Sequence, residues 1–491
     1  MVSLLKVNSF NFLKLENEDY ILNFYRYKKY DKNKDLYLLT LDSGGFIFLN
    51  SSTFLQLRRG KIISEEVYFK LHEKGFIITE NNFEDIIDKT TARYSFLNQA
   101  TSLHIVILSH RCNLSCTYCF ASSKTMAEDP KKFDLNEKTA KKIVEFIMKS
   151  PSYAITLEFQ GGEPTVNFEM IKFMTLYAKE LNLIYKKDLR LALVSNLTLM
   201  NEEKAEWLIN NGVSICTSLD GPEHIHNKNR FISGKEDSKI GTYETVITWI
   251  KKINEIYLKK GMKTRVNALP TITKYSLPYY KEIIDEYLKY NIKMIDLRSL
   301  TFVGRVNQNE KLLYSHEEFQ KFYFNSINYL KELEKKGIKI QNRMRNLYET
   351  KIIKNLPGFH TEFESPCGAA TGQITYYTNG NIYTCNEALN RDEFKLGNVF
   401  ETNWKDLFNK NETKKAILNS MIENNVICDR CVFKPYCGTC MVENYYNQNK
   451  FNFHPFKTQR HYITIRQSRE IFDSILKDVE KKIDEDISNY S

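Results

Sequence analysis

No apolar run in this sequence is long enough to cross a bilayer, which excludes an α-helical membrane protein. The first residues, Met-Val-Ser-Leu-Leu-Lys-Val-Asn, lack the apolar core and cleavage site of a secretory signal, so a cytoplasmic protein is expected. There is no tandem repeat and no long low-complexity segment, which argues against a repeat array or a disordered tract. What is present is a chain of 491 residues, 42% of them hydrophobic, with room for roughly two to four domains. Its formal charge of +10 is spread through a Lys- and Asn-rich background and reads as composition bias. At most it suggests a mild affinity for acidic peptides, and no nucleic-acid partner is expected. Ten cysteines without a secretory signal point to metal or redox chemistry, not to a disulfide scaffold.

Three of those cysteines, Cys112, Cys116 and Cys119, form a CX3CX2C loop directly after a hydrophobic strand expected at Leu103–Leu108. Such a loop can wrap three corners of an iron–sulfur cubane. Cubanes normally take four thiolates, so one iron is left open to a small molecule. A zinc site is the alternative, but structural zinc usually shows two CX2C pairs or Cys/His pairs. The spacing resembles that of the radical S-adenosylmethionine (SAM) superfamily. The resemblance implies that SAM chelates the open iron through its amino and carboxylate groups. It further implies that an electron, delivered by a flavodoxin- or ferredoxin-type donor, cleaves SAM to methionine and a 5′-deoxyadenosyl radical. Tyr118 would lie against the adenine.

From about 96 to 305 strands and helices alternate, which means a parallel sheet with crossover helices. Strands are expected at Leu103–Leu108, Ile155–Phe159, Leu191–Val194, Ser214–Ser218, Arg265–Ala268 and Met294–Leu297. Six such units match the partial (β/α)6 TIM-type barrel of the superfamily, with the site at the C-terminal strand ends. Gly161-Gly162-Glu163-Pro164 follows the second strand and resembles the family's GGEP segment. There the family contacts the SAM amino group, and glycine is expected because a side chain would block the approach of ligand to backbone. By the same resemblance Ser195 and Asn196 contact the ribose and carboxylate, Ser218 and Asp220 end the fourth strand at the cofactor, and Arg230 pairs with the SAM carboxylate. An ordinary loop salt bridge is the competing reading of Asp220 and Arg230. Cys216, mid-strand, is expected to be a small buried hydrophobe.

A second cysteine set occupies the region from 361 to 465. Cys367 and Cys385 bracket Gly380 as CX12GX4C, and Cys428, Cys431, Cys437 and Cys440 read CX2CX5CX2C. The pattern resembles the SPASM extension, which implies one or two auxiliary iron–sulfur clusters. It departs from that family in its last spacing, CX2C for CX3C, and in lacking a seventh cysteine. His461 stands where that cysteine would fall and is the candidate substitute ligand. Six thiolates could serve two clusters with three each, leaving an iron open. A zinc ribbon is the alternative.

Residues 1–95 read as a small α+β module with a hairpin at Asp42-Ser43-Gly44-Gly45, either a leader-peptide recognition domain or a structural cap. Its strands are expected at Tyr20–Tyr27, Leu36–Leu41 and Gly45–Leu49, its helices at Thr53–Arg59 and Glu65–Lys74. Residues 306–360 read as a helical connector and 466–491 as an amphipathic helix carrying Ile471, Ile475, Leu476, Val479 and Ile483. The expected fold is thus α/β, a partial barrel between an N-terminal module and a cluster domain. Thr101-Ser-Leu-His-Ile-Val, Glu158-Phe-Gln-Gly-Gly-Glu-Pro and Thr217-Ser-Leu-Asp-Gly-Pro resemble SPASM maturases of the His-Xaa-Ser peptide system. This implies radical crosslinking or oxidation of a ribosomally made precursor peptide. An anaerobic sulfatase maturase forming formylglycine is the alternative, and a non-catalytic iron–sulfur or peptide-binding protein is a third. No general base is identifiable.

Overall fold

A computed structural model of the chain describes residues 13–15, 18–31, 35–61, 64–98, 100–233, 241–358, 361–451 and 453–489. The N-terminal region holds β1 (Leu13–Leu15), β2 (Glu18–Leu22), β3 (Arg26–Asp31), β4 (Leu36–Thr40), β5 (Phe46–Asn50) and β6 (Ile77–Ile78). They form two three-stranded antiparallel sheets, β1-β2-β6 and β3-β4-β5. Helix Ser51–Arg58 starts where the Asn50 side chain accepts from Thr53 N–H, and helix Glu65–Glu73 starts where Ser64 caps Val67. Their apolar faces close a core of their own around Leu39, Leu41, Phe54, Leu57, Leu71 and Phe76. The expected strand Tyr20–Tyr27 is two strands. The chain breaks at Asn23, whose N–H and side-chain amide donate to Phe76 and Gly75 carbonyls, and so changes sheets.

The centre is an eight-stranded sheet. β7 (Leu103–Ser109), β8 (Ala154–Gly161), β9 (Asp188–Val194), β10 (Val213–Ser218) and β11 (Asn267–Leu269) run parallel in the order β11-β10-β9-β8-β7. β7 is almost continuously apolar because both its faces are covered. Val106 and Leu108 face the helix-packed core, while Ile105 and Ile107 pack on Tyr377, Tyr383 and Leu389. The expected sixth strand is shorter and lies elsewhere. β12 (Met294–Ile295) pairs with β13 (Gln341–Asn342), a strand inside the expected helical connector, and not with β11. Gln341 N–H reaches the Lys293 carbonyl and takes the edge that a sixth barrel strand would have offered.

The cysteine-rich region is built onto this sheet. β14 (Gln373–Tyr376) pairs parallel with the free edge of β7, and β15 (Asn381–Tyr383) and β16 (Lys395–Asn398) continue antiparallel. Gly380, at φ 86°, makes the turn between β14 and β15. The last helix, Gln459–Asn489, begins before the expected 466. It buries Ile471 and Phe472, and the side chains of Val479 and Ile483 lie outside the described residues. The N-terminal region packs on this helix and on residues 429–436. Tyr30 Oη donates to Asp473 at 2.6 Å, Thr40 Oγ1 to the Val432 carbonyl at 2.8 Å, and Tyr436 Oη to the Gly44 carbonyl at 2.9 Å. Buried Arg26 pairs with Asp42 at 2.8 Å and Asp429 at 3.3 Å.

Candidate functional site

The loop carrying Cys112, Cys116 and Cys119 leaves the C-terminal end of β7 and is clamped from several directions. The His110 ring meets Tyr377 Oη at 2.6 Å and the Ala121 carbonyl at 2.9 Å. Arg111 Nε donates to Asp134 at 3.0 Å. Arg305 donates from its backbone to the Cys119 carbonyl at 3.0 Å and from its guanidinium to Ser123 O at 2.8 Å and Ser115 Oγ at 3.2 Å. Gly304 must be glycine: at φ 75° it lies against the loop, and a Cβ would come within 2.4 Å of the Phe120 carbonyl. Gly304 and Arg305 were not legible in the sequence, because nothing local marks a clamp so distant along the chain.

Burial raises the Cys112 thiol and pushes Cys116 up to about 11, while the Arg230 and Arg305 charges work the other way on Cys116. The Cys112 and Cys116 sulfurs are therefore protonated until a metal displaces their protons. Among the described residues no three His, Cys, Asp or Glu side chains gather closely enough for one bare ion. Sulfurs set apart on a clamped loop suit the separate corners of a cluster.

Beside the loop, Gly161 ends β8 and Gly162 follows it. A Cβ on Gly161 would sit 2.2 Å from the Ser109 carbonyl, and one on Gly162 2.4 Å from the Arg111 carbonyl. The protein's own backbone therefore already requires both glycines, a reason not legible in the sequence. Buried Glu163 accepts from Thr165 N at 3.0 Å, Thr165 Oγ1 at 2.5 Å, Ser195 Oγ at 2.8 Å and Asn196 N at 2.8 Å. These four donors fill a carboxylate's acceptor positions and tie the ends of β8 and β9 together, although the two hydroxyls can turn away. Asn196 Nδ2 reaches Asn113 at 3.1 Å and Cys112 Sγ at 3.8 Å. Ser218 ends β10 on the same strand face as Cys216.

Asp220 is fully buried and accepts from Tyr118 Oη at 2.7 Å, Thr271 N at 3.0 Å and Asn229 Nδ2 at 3.2 Å. Arg230 lies over the Tyr118 ring, 5.3 Å from its centroid, and only 3.5 Å from Asp220. At that distance its buried Nε has no hydrogen-bond partner among the described residues. An unsatisfied guanidinium N–H beside a three-cysteine loop is what a carboxylate-bearing ligand would complete.

Below this site the strands turn polar side chains inward. Glu158 and Cys216 lie on the inward faces of β8 and β10, and Asp296 and Arg343 are charged neighbours of that Cys216 thiol, which burial pushes up to about 12. Cys216 therefore lies among charges, not in the apolar core as expected. The period of two from Ser218 was the available signal. Burial also raises the Glu158 and Asp296 carboxyls, and Asp296 Oδ1 has no hydrogen bond among the described residues.

The six later cysteines sort into two sets. Cys367, Cys385 and Cys440 line one small recess with Glu387, Glu362, Gln373 and Arg460. Cys428, Cys431 and Cys437 are mutual electrostatic neighbours near Lys434 and the N-terminal region. The His461 ring packs on Phe456 and Tyr462, its backbone N–H donates to Thr458, and among the described residues it makes no hydrogen bond to either set. The Lys28 charge acts on both His461 and Cys431, so the two share a side of the molecule. Arg298, Glu362, Glu387, Glu443 and Arg460, a network around the first set, were missed from the sequence for want of any motif. Burial and Glu362 push the Glu387 carboxyl up to about 7.

Residues 106–278 match the Radical SAM superfamily, so the chain carries a radical SAM domain. The chain is 27% identical to a cysteine-type anaerobic sulfatase-maturating enzyme of Clostridium novyi (strain NT), over 69% of this chain and 87% of that protein. Its fold matches a structure of native anSMEcpe with bound AdoMet with a TM-score of 0.62 at 21% identity, covering 77% of this chain and 99% of that one. It also matches Streptococcus suis SuiB bound to precursor peptide SuiA, with a TM-score of 0.52 at 16% identity, covering 87% of this chain and 97% of that one.

Proposed function

We propose that this chain, through its radical SAM domain, is an enzyme that cleaves SAM at the Cys112/Cys116/Cys119 loop and modifies a carbon of a peptide substrate. The observation that carries the reading is Arg230, whose buried Nε is unsatisfied among the described residues and lies beside that loop. The three thiolates would hold a [4Fe–4S] cluster, and Arg230 would take the carboxylate of SAM. Tyr118 and Asp220 buttress the guanidinium, and Asn196 holds the loop at Cys112. Gly161, Gly162, Glu163, Ser195 and Ser218 shape the remaining wall. When bound, the reduced cluster and SAM supply a carbon radical able to take hydrogen from an unactivated carbon. The inward-facing Glu158 and Asp296 are the carboxylates able to hold a proton released by the substrate. Cys367/Cys385/Cys440 and Cys428/Cys431/Cys437 would each hold an auxiliary cluster and pass electrons onward, with an external flavodoxin- or ferredoxin-type donor completing the path.

The peptide part of the reading is supported by β3. Among the described strands it pairs only with β4, and its central residues are exposed, so a peptide can add there by backbone hydrogen bonds. SuiB, which has been captured with a precursor peptide, shares the fold over more of this chain than anSMEcpe does. We assign the substrate to the ribosomally made precursors, with the His-Xaa-Ser system as the finer candidate on its local motifs. The competing reading, a cytoplasmic sulfatase maturase forming formylglycine, is favoured by the Clostridium novyi relative. Incubation of the reduced protein and SAM with each peptide class separates them. Loss of about two mass units with a new crosslink in a precursor supports the first, and conversion of a cysteine or serine to an aldehyde in a sulfatase peptide supports the second.

A further inference from the structure

We propose that the Glu387 carboxylate is the fourth protein ligand of the cluster held by Cys367, Cys385 and Cys440. This rests on the reading of that set as a cluster site and decides whether its last iron is open. Cys385 immediately precedes the 3-10 turn Asn386–Ala388 that carries Glu387, and both line the recess that also receives Cys367 and Cys440. The Cys440 thiol donates to Glu387 Oε2 at 3.8 Å, so the carboxylate faces the same recess as at least one of the three sulfurs.

Charge supplies a second argument. Three carboxylates face two guanidiniums here. Arg298 pairs with Glu362 at 2.8 Å and Arg460 with Glu443 at 3.2 Å. Glu387 has only a long 3.7 Å contact to Arg298, although its side chain is 14% exposed. A carboxylate withdrawn from water without a close cation is costly, and an iron ion is the charge that would offset it. Gln373 lines the same recess but brings a neutral amide, a weaker ligand for iron. Three thiolates and one carboxylate would saturate this cluster and suit it to electron transfer. An open auxiliary iron would then belong to Cys428, Cys431 and Cys437, under the N-terminal region.

The test uses full-length protein carrying C112A/C116A/C119A, which removes the first cluster, reconstituted with iron and sulfide under anaerobic conditions. EPR spectra and midpoint potentials are recorded with and without cyanide, in this parent and with E387A or E387C added. We expect one more cluster signal to respond to cyanide in the E387A variant than in the parent. E387C should abolish that response and lower the potential of the same cluster, because thiolate is the stronger donor. If E387A loses the cluster altogether and E387C retains it, the assignment also stands. Identical cyanide responses and potentials in all three proteins overturn it, as does loss of the cluster from E387C. A parent without auxiliary iron overturns instead the reading of these cysteines as cluster ligands.

Discussion

Arg230 and Glu163 both border the loop, yet their surroundings set different expectations. Replacing Arg230 by Ala removes the charge-assisted contact to SAM and also leaves buried Asp220 without its paired cation, though Asp220 keeps its three hydrogen-bond donors. SAM affinity should fall by about 1.5–3 kcal/mol, roughly ten- to a hundredfold in Kd, with iron–sulfur absorbance kept. Glu163 accepts from four groups across two strand ends, so Glu163→Ala should lower the melting temperature as well as SAM affinity. Calorimetry alongside SAM titration separates the two, and unchanged SAM affinity in both variants would mean that other loops bind the cofactor. Gly162→Ala forces a Cβ against a backbone carbonyl that cannot yield cheaply, and the purified variant should lack the first cluster. The three cysteines and the GGEP segment were legible because spacing and order carry their chemistry. The reason for the glycines was not, because it lies in a carbonyl of the preceding strand's loop. The polar surroundings of Cys216 were not legible because they come from residues far apart in the chain, Glu158, Asp296 and Arg343, that only the folded sheet brings together.

Strands β4 and β5 and the two helices that follow them were legible almost to the residue, since short apolar runs and capped helices are local signals, whereas the break of Tyr20–Tyr27 into two strands was not. β12–β13 and β14 were not, because a short strand is defined by the edge it meets and not by its own pattern. Docking of the N-terminal region also escapes the sequence. Its contacts with Val432, Tyr436 and Phe472 mean that deleting residues 1–95 would strip cover from buried apolar side chains and disturb the cysteine-rich region. A gentler test keeps the chain whole. If a precursor adds to β3 as a strand, N-methylation of its backbone should weaken binding at alternate positions only, as seen by fluorescence anisotropy. Uniform insensitivity would leave the region as a cap. Arg26→Ala should loosen the docking by about 1–2 kcal/mol, read as faster proteolysis within residues 18–98. The cost is moderate because Asp42 and Asp429 are half-exposed and retain Lys434 as a partner.

Taken whole, the molecule should lose stability in mild acid through two buried histidines. Burial lowers His104 to about 3 and His226 to about 4. The unfolded chain takes up these protons near pH 6.5, while the folded chain refuses them until far lower pH. Stability therefore falls as pH drops through this window, by about 1.4 kcal/mol per unit for each histidine. His104→Gln keeps a donor for Tyr376 and should flatten that slope by one histidine's share, measured by urea unfolding between pH 6.5 and 4.5. Purified without oxygen, the chain should be brown and carry about eight to twelve irons if each cluster is a four-iron cubane. Zinc in place of auxiliary iron would remove the second and third clusters from the scheme. The most direct measurement is 5′-deoxyadenosine formed from SAM by the reduced, iron-replete protein, compared with Cys116→Ala. The wild-type chain should form it and the variant, with two thiolates left in the loop, should form none while remaining folded. Equal yields from the two proteins, or none from a wild-type chain with its full iron, would contradict the assignment of this loop as the radical-generating site.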